Sequence, residues 1–470
     1  MLLAIFLHLG LSAALQGSNF NVSKSVAAEY NCGPVCYDML QKTNAEDLDV
    51  LGTAFDFDFY NTASNFTNSE PGDLLKMEAM DPRRFSSDIP WGATYYRIQY
   101  TSIDIDGHKV PVTGFIAIPF IPNTYSNNTD KKVYRTIAYA HGTLGLFHGC
   151  APSTSPKLYD YQSWSTLVAQ GYAIVATDYS GLGNNHTQHK YITLPEHAND
   201  IFYSVVAAKK AFPNNLSDEW LSIGHSQGGG AVWKLAESDL IRSNEAKKAG
   251  RYLGTVSIAP VTKVYDMAVL AAKTVFNDPK QIHKWVITGE VALIGIAVKR
   301  LIPSYNMSIY GDVLRKRIEL SELTQGCSLN MMGMTVDLDV NEILSPKDLW
   351  QENIFQQFQS LTGAGQGHLQ QPMLVIQGLN DTAVLPDSTV STYHESCTIG
   401  NAIQLKLFND LDHTTVIPAS APLFIDWINT RFNNGARATH ASTGACSQET
   451  FPAWDANHMN APKEADELEL

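Results

Sequence analysis

Buried-strand segments alternating with amphipathic helices predict an α/β fold on a mostly parallel sheet, and three features of the 470-residue chain carry that expectation. The first is a pair of alternating segments, Tyr95–Tyr100 and Val110–Pro119, on either side of Ile105-Asp106-Gly107. Asp-Gly is a hairpin signal, so two antiparallel strands should open the sheet. The second is a succession of helix and strand units: a helix over 161–170, a strand over 172–177, and an amphipathic helix over 196–212 that leads into the apolar run Trp220-Leu221-Ser222-Ile223. That order requires crossover connections, and hence parallel strands. The third is Gly224-His225-Ser226-Gln227-Gly228, which separates the apolar run from the helix-forming stretch Ala231–Ala236. A strand that turns abruptly into a helix forces the central residue into a strained backbone conformation, and small residues two positions away on either side let the two elements approach.

Ser226 at the centre of that turn is the candidate nucleophile. A serine needs a base, and the base needs a carboxylate to orient it. Pro372–Gly378 reads as a buried strand whose carboxyl end carries Leu379-Asn380-Asp381-Thr382, making Asp381 the candidate acid. The next strand, Ala402–Phe408, ends in Asn409-Asp410-Leu411-Asp412-His413, which delivers His413 as the candidate base ahead of a helix over 421–432. Asp410 and Asp412 compete with Asp381, but a carboxylate on the histidine's own short loop is poorly placed to reach the far ring nitrogen. An oxyanion hole needs two backbone N–H groups, one of which comes from the residue after the nucleophile, here Gln227. The other is expected on the loop His141-Gly142-Thr143, after the strand Thr136–Ala140, with Gly142 or Thr143 as donor. A loop Asp and a lone Gly are also ordinary turn formers, so these assignments rest on the residues occurring together and in order.

Composition narrows the setting. A hydrophobic content of 44% is ample for a buried core. The net charge of −14 and pI near 5.4 argue against nucleic acid and against attraction to anionic headgroups, so any transient contact with a lipid interface should be apolar. Met1–Leu11 is apolar, too short to span a bilayer and followed by Ser12, Ala13 and Ala14; despite lacking a positive leader it reads as a secretory signal over 1–17. Six cysteines and N-glycosylation sequons at Asn21, Asn65, Asn127, Asn185, Asn215 and Asn306 fit an oxidising, secretory route and an extracellular destination. Cys32 and Cys36 are near enough for a local bridge, whereas a metal site is disfavoured because no second Cys or His pair lies beside them.

Taken together, His141-Gly142-Thr143, Cys150-Ala151-Pro152-Ser153, Thr177-Asp178-Tyr179-Ser180-Gly181-Leu182-Gly183, the Ser226 pentapeptide, Asp381 and His413 resemble the secretory lipase family typified by Candida antarctica lipase A, over residues 95–432. The resemblance implies an α/β-hydrolase core with a helical cap inserted between nucleophile and acid, and hydrolysis of acylglycerols and other carboxylic esters. It puts Ser226, Asp381 and His413 on the family's triad, with Gln227 and the Gly142 to Thr143 loop on its oxyanion hole. It also pairs Cys150 with Cys327, which leaves Cys397 and Cys446. One departure concerns the first oxyanion loop, where the type member carries an acidic residue and this chain has His-Gly-Thr.

The organisation expected along the chain follows. After the signal comes a polar, irregular N-terminal wrap over 18–94 with only short helical hints such as Asp47–Leu51, then core over 95–262. A helical cap is expected over 263–365, with helices at Val264–Phe276, Asp278–Ile302 and Tyr310–Leu323 that leave room for an acyl pocket, then core again over 366–433 and an acidic tail over 434–470. The chemistry requires no metal or organic cofactor, and oligomeric state is not legible. Rival readings are a peptidase, an acyltransferase, or a non-catalytic binding protein of the same shape. A peptidase would need a charged anchor for a peptide terminus, and no acidic cluster is placed by the turn; a binding protein typically loses the serine or the histidine.

Overall fold

The computed structural model describes residues 16–460 apart from 53, 124–132, 160–161, 276–277, 279, 281, 346–352 and 435–445. The signal expected over 1–17 therefore lies almost wholly outside the described residues, as do Asn127 and the acidic run after 460.

Among the described residues ten strands form one sheet: β1 (Leu74–Ala79), β2 (Thr94–Ile103), β3 (Lys109–Ile118), β4 (Tyr134–Ala140), β5 (Ala173–Thr177), β6 (Leu216–His225), β7 (Arg251–Ile258), β8 (Met373–Gly378), β9 (Ile403–Phe408) and β10 (Ser447–Phe451). Their order is β1-β2-β3-β5-β4-β6-β7-β8-β9-β10. β1, β2 and β3 are antiparallel, β3 meets β5 antiparallel, and every pairing from β5 onward is parallel. β5 and β8 are buried along their whole length because helices cover both faces, which is why they read as mostly apolar runs without alternation. Helices Leu194–Ala211 and Gln227–Glu237 pack on one face; Trp164–Ala169 and Val416–Asn434 supply Trp164, Leu167, Phe424 and Ile428 to the core on the other. This is the expected α/β-hydrolase architecture, a mostly parallel sheet between helical layers.

Several elements differ from expectation. The β2–β3 turn is the longer loop 104–108, closed by Asp104 Oδ1 accepting from the N–H groups of Asp106 and His108. The segment 18–94 holds an 18-residue helix, Pro34–Leu51, and a strand, β1, that extends the sheet. That helix packs on the helical insertion rather than on the sheet: Asp47 accepts from the N–H groups of Leu329 and Asn330, and the N–H groups of Asn19 and Phe20 donate to Gln325 and Thr324. Arg317 adds bonds to the carbonyls of Asn31 and Met334 and an ion pair with Asp337. Within the segment expected as a tail, β10 pairs with β9 and is stapled by Cys397–Cys446.

Between β7 and β8 lie helices Val264–Thr274, Val286–Leu301, Asp312–Thr324, Ser328–Gly333, Val340–Ile343 and Asn353–Thr362. The single helix expected over 278–302 is broken, with a 3-10 turn at Ile282–Lys284 ahead of Val286–Leu301. Gly295 lets Tyr310 cross that helix closely, its N–H donating to Tyr310 Oη at 2.6 Å; an added Cβ would sit 2.1 Å from the tyrosine ring. Cys32–Cys36 and Cys150–Cys327 are bonded, the second joining the loop after β4 to the insertion.

Candidate active site

Ser226 occupies the turn between β6 and helix Gln227–Glu237 with φ 59° and ψ −119°, a left-handed conformation that a non-glycine residue adopts only under constraint. The constraint is visible. Its N–H donates to Ile258 O, and its carbonyl accepts from Gly230 and Val261, so the end of β7 and the first helical turn hold it from both sides. A Cβ on Gly224 would lie 2.3 Å from Gly228 O, and one on Gly228 would lie 2.0 Å from Ala140 O; both neighbours are backbone and neither contact can be relieved cheaply.

Asp381 follows β8 and is buried with four donors around its carboxylate. Oδ1 accepts from the N–H groups of Ala383 and Val384 at 2.9 and 2.8 Å; Oδ2 accepts from Gln377 Nε2 at 2.9 Å and faces His413 Nδ1 at 2.8 Å. An acceptor so placed holds the proton on Nδ1 and leaves Nε2 as the basic nitrogen. Asp412 does something else: its Oδ1 accepts from the N–H groups of Thr414 and Thr415 and from Thr415 Oγ1, closing a turn ahead of the last long helix. Asp410 sits at φ 62° in the preceding turn.

The histidine loop is tied to the serine turn through His225. Its Nε2–H donates to His413 O at 2.9 Å, and the two rings lie 4.4 Å apart. Burial, reinforced by His413, holds the His225 ring far below the ordinary histidine range, so it stays neutral and keeps that donor.

On the other flank the loop His141-Gly142-Thr143 runs against the serine. A Cβ on Gly142 would lie 3.4 Å from Ser226 Cβ, 3.4 Å from His225 Nδ1 and 2.7 Å from Tyr159 Oη, so only glycine fits there unstrained. Thr143 is braced by Tyr191, hydroxyl to hydroxyl at 2.7 Å, and its carbonyl accepts from Tyr159 Oη. Gln227 points its side chain away into the core, with Nε2 3.3 Å from His189 Nε2 and 3.1 Å from His197 Nε2. The stretch Thr177–Gly183 serves as a brace. Asp178 Oδ2 accepts from the hydroxyls of Thr113 and Ser153 and its Oδ1 from the Ser153 N–H, tethering the Cys150–Ser153 loop while burial pushes its carboxyl up to about 6.

Sequence alone does not mark His225, Gln377, His189 and His197 as site residues. Gln377 had a signal available, a polar residue inside the buried run of β8; the histidines had none beyond sitting at positions that pack. Among the described residues one group has metal-ligand spacing, Asp104, Asp106 and His108, and Lys190 Nζ already lies 3.7 Å from both carboxylates.

A small apolar pocket of about 50 Å³ lies within the helical insertion, walled by Met267, Ile287, Val291, Ile294 and Phe355 among others, with Glu290 the one charged residue among its described lining. Its wall is tied to the acid loop, where the N–H of Ile287 donates to Thr382 O, next to Asp381.

The sequence profile of a family described as secretory lipase matches residues 148–440. No curated protein sequence is significantly similar to the chain. Among solved structures, lipase A of Candida antarctica in its closed state superposes with a TM-score of 0.63 at 15% identity, over 83% of this chain and 88% of that one. A rice cell wall degrading esterase, LipA, from Xanthomonas oryzae, superposes with a TM-score of 0.56 at 16% identity, over 78% of this chain and 98% of its own. At such identities these likenesses speak to the fold.

Proposed function

The chain belongs to the secretory lipase family and is a carboxylic ester hydrolase of the lipase and esterase kind, and on that premise we propose that it cleaves acylglycerols and related esters through an acyl-enzyme on Ser226. His413, its Nδ1–H held by Asp381, takes the serine proton as Oγ attacks the ester carbonyl. Backbone N–H groups of Gln227 and of the Gly142 to Thr143 loop receive the alkoxide, and His413 returns the proton to the departing alcohol. Water then repeats the cycle on the acyl group. The observation that carries the reading is the strained Ser226 turn, bonded on one side to β7 and linked through His225 to the His413–Asp381 pair.

The pocket in the insertion favours an acyl chain over a polar acid component, since each methylene buried there contributes about 0.8 kcal/mol. Its family and its three disulfides support export to an oxidising, extracellular setting, and no helix among the described residues is long and apolar enough to cross a membrane. Ser226→Ala is expected to lower turnover on the order of a million-fold while leaving the fold intact, and a fluorophosphonate should label Ser226. Labelling of another serine, or activity surviving the substitution, overturns the assignment. A p-nitrophenyl ester series from acetate to palmitate then reads the pocket: rates that fall monotonically with chain length count against an acyl site.

A further inference from the structure

We propose that His189 and His197 are positioning residues of the oxyanion hole, holding the Gln227 side chain by both amide hydrogens and so restraining the residue whose backbone N–H receives the alkoxide. This rests on the reading above, in which that N–H receives the alkoxide.

Gln227 opens its helix, so its N–H has no intrahelical acceptor and is available to a ligand. A hydrogen bond to a developing oxyanion is effective only if its donor is held before the charge forms; the two bonds to Ser226 O orient the peptide unit that carries this N–H, and a pinned side chain further restrains the Gln227 Cα against shifting. Here the side chain is pinned. Nε2 lies 3.3 Å from His189 Nε2 and 3.1 Å from His197 Nε2, giving each amide hydrogen an acceptor. The tautomer of His189 is fixed from its other side, where Nδ1–H donates to Ser180 O at 2.9 Å and leaves the Nε2 lone pair facing the amide. Its backbone is fixed too, since Arg300 donates to the carbonyls of both His189 and Leu146.

The two imidazoles belong to a column that reaches the opposite donor loop. His189 stacks on His197 with centroids 5.2 Å apart and planes 11° off parallel; His197 stacks on Tyr179 at 4.4 Å; and Tyr179 meets His141 at 4.3 Å. Tyr179 Oη donates to His141 O at 3.0 Å, at the start of the Gly142 to Thr143 loop. One buried column therefore touches both halves of the hole. His189 and His197 must stay neutral to serve as acceptors and all three imidazoles to stack without repulsion; burial lowers His141 to about 4 and His189 to about 3, and holds His197 far below its ordinary range. A core chosen for stability alone gains nothing from several buried polar rings where apolar ones would pack, and His197 Nδ1 is buried with no hydrogen-bond partner among the described residues.

The test uses His197→Phe, which keeps a ring in the column and removes the acceptor, and Gln227→Met, which keeps the backbone donor and removes the amide. On p-nitrophenyl butyrate each should lower kcat by about tenfold, less than the hundredfold or more for deleting a donor outright, with KM within about twofold. Affinity for an alkyl trifluoromethyl ketone should fall by the same factor, because Ser226 Oγ adds to its carbonyl carbon, the serine proton passes to His413, and the resulting alkoxide occupies the hole. The double variant should be no worse than the poorer single one, since both remove the same contact. Unchanged kcat and ketone affinity in the two variants overturn the proposal even if the melting temperature drops, for the cluster is then only packing. Should His197→Phe fail to fold, Gln227→Met decides alone. Hydrolysis that survives Ser226→Ala overturns the underlying reading instead, so the two failures are separable.

Discussion

At the scale of single residues, the site separates groups that resemble one another in sequence. Asp381, Asp410 and Asp412 are all loop aspartates near the end of a strand, yet only Asp381 faces the His413 ring, while Asp412 spends its Oδ1 on its own turn. Asp381→Asn should lower turnover by about four orders of magnitude, because an amide at that position no longer holds the productive tautomer. Asp412→Ala should leave most of the activity and cost about 1 kcal/mol of stability, from the hydrogen bonds lost in the turn. Steady-state rates and melting curves on the two variants distinguish them; a dead Asp412→Ala enzyme with an active Asp381→Asn would exchange the roles. His225 could be read from the sequence only as the spacer in the pentapeptide, because its partner is a carbonyl 188 residues away in sequence.

Among elements, those legible beforehand have a regular apolar pattern and those missed do not. Helix Pro34–Leu51 buries Thr43, Asn44 and Asp47 along with Met39 and Leu40, so its inward stripe is interrupted by polar groups, of which Thr43 bonds within the helix, Asn44 bonds to Asn21 and Asp47 finds its partners on the insertion. β10, Ser447–Phe451, is a polar edge strand whose pairing depends on β9, on the Lys406–Glu449 ion pair and on a disulfide. The helix contact carries a pH signature. Burial raises the Asp47 carboxyl from 3.8 to about 7. A group whose folded value lies above its unfolded one stabilises fully below the unfolded value and loses that contribution as the pH climbs through the folded value, here between about 4 and 7. Raising the pH from about 5 to about 8 should therefore lower the melting temperature of the wild type more than that of Asp47→Asn. Parallel curves for the two proteins would mean that Asp47 stays ionised throughout.

Across the whole molecule, Cys150–Cys327 joins the candidate oxyanion loop to the helical insertion across 177 residues of sequence. Gly145 passes so close that a Cβ there would lie 2.8 Å from Cys150 Sγ, and Ser328 N–H donates to Leu144 O, so this edge of the insertion is bonded covalently and through the backbone. The N-terminal helix holds the same edge through Asp47. Closing so long a loop is worth about 5 kcal/mol in the chain-entropy model, as an upper figure. Replacing both cysteines by alanine should lower the melting temperature and reduce activity on long-chain esters more than on acetate esters, because short substrates use little of the insertion. Equal losses across chain lengths would detach the bridge from substrate selection and leave it a general staple.

By itself the sequence determined the α/β class, the serine turn and the order in which the candidate acid and base follow it, because each is set by local chemistry: strand periodicity, small residues flanking Ser226, and loops at strand ends. Tertiary structure alone decided where the N-terminal segment and β10 attach and how His189 and His197 close on Gln227. Those outcomes depend on contacts between segments far apart in the chain, where burial and a distant partner, rather than residue type, set what a polar group does.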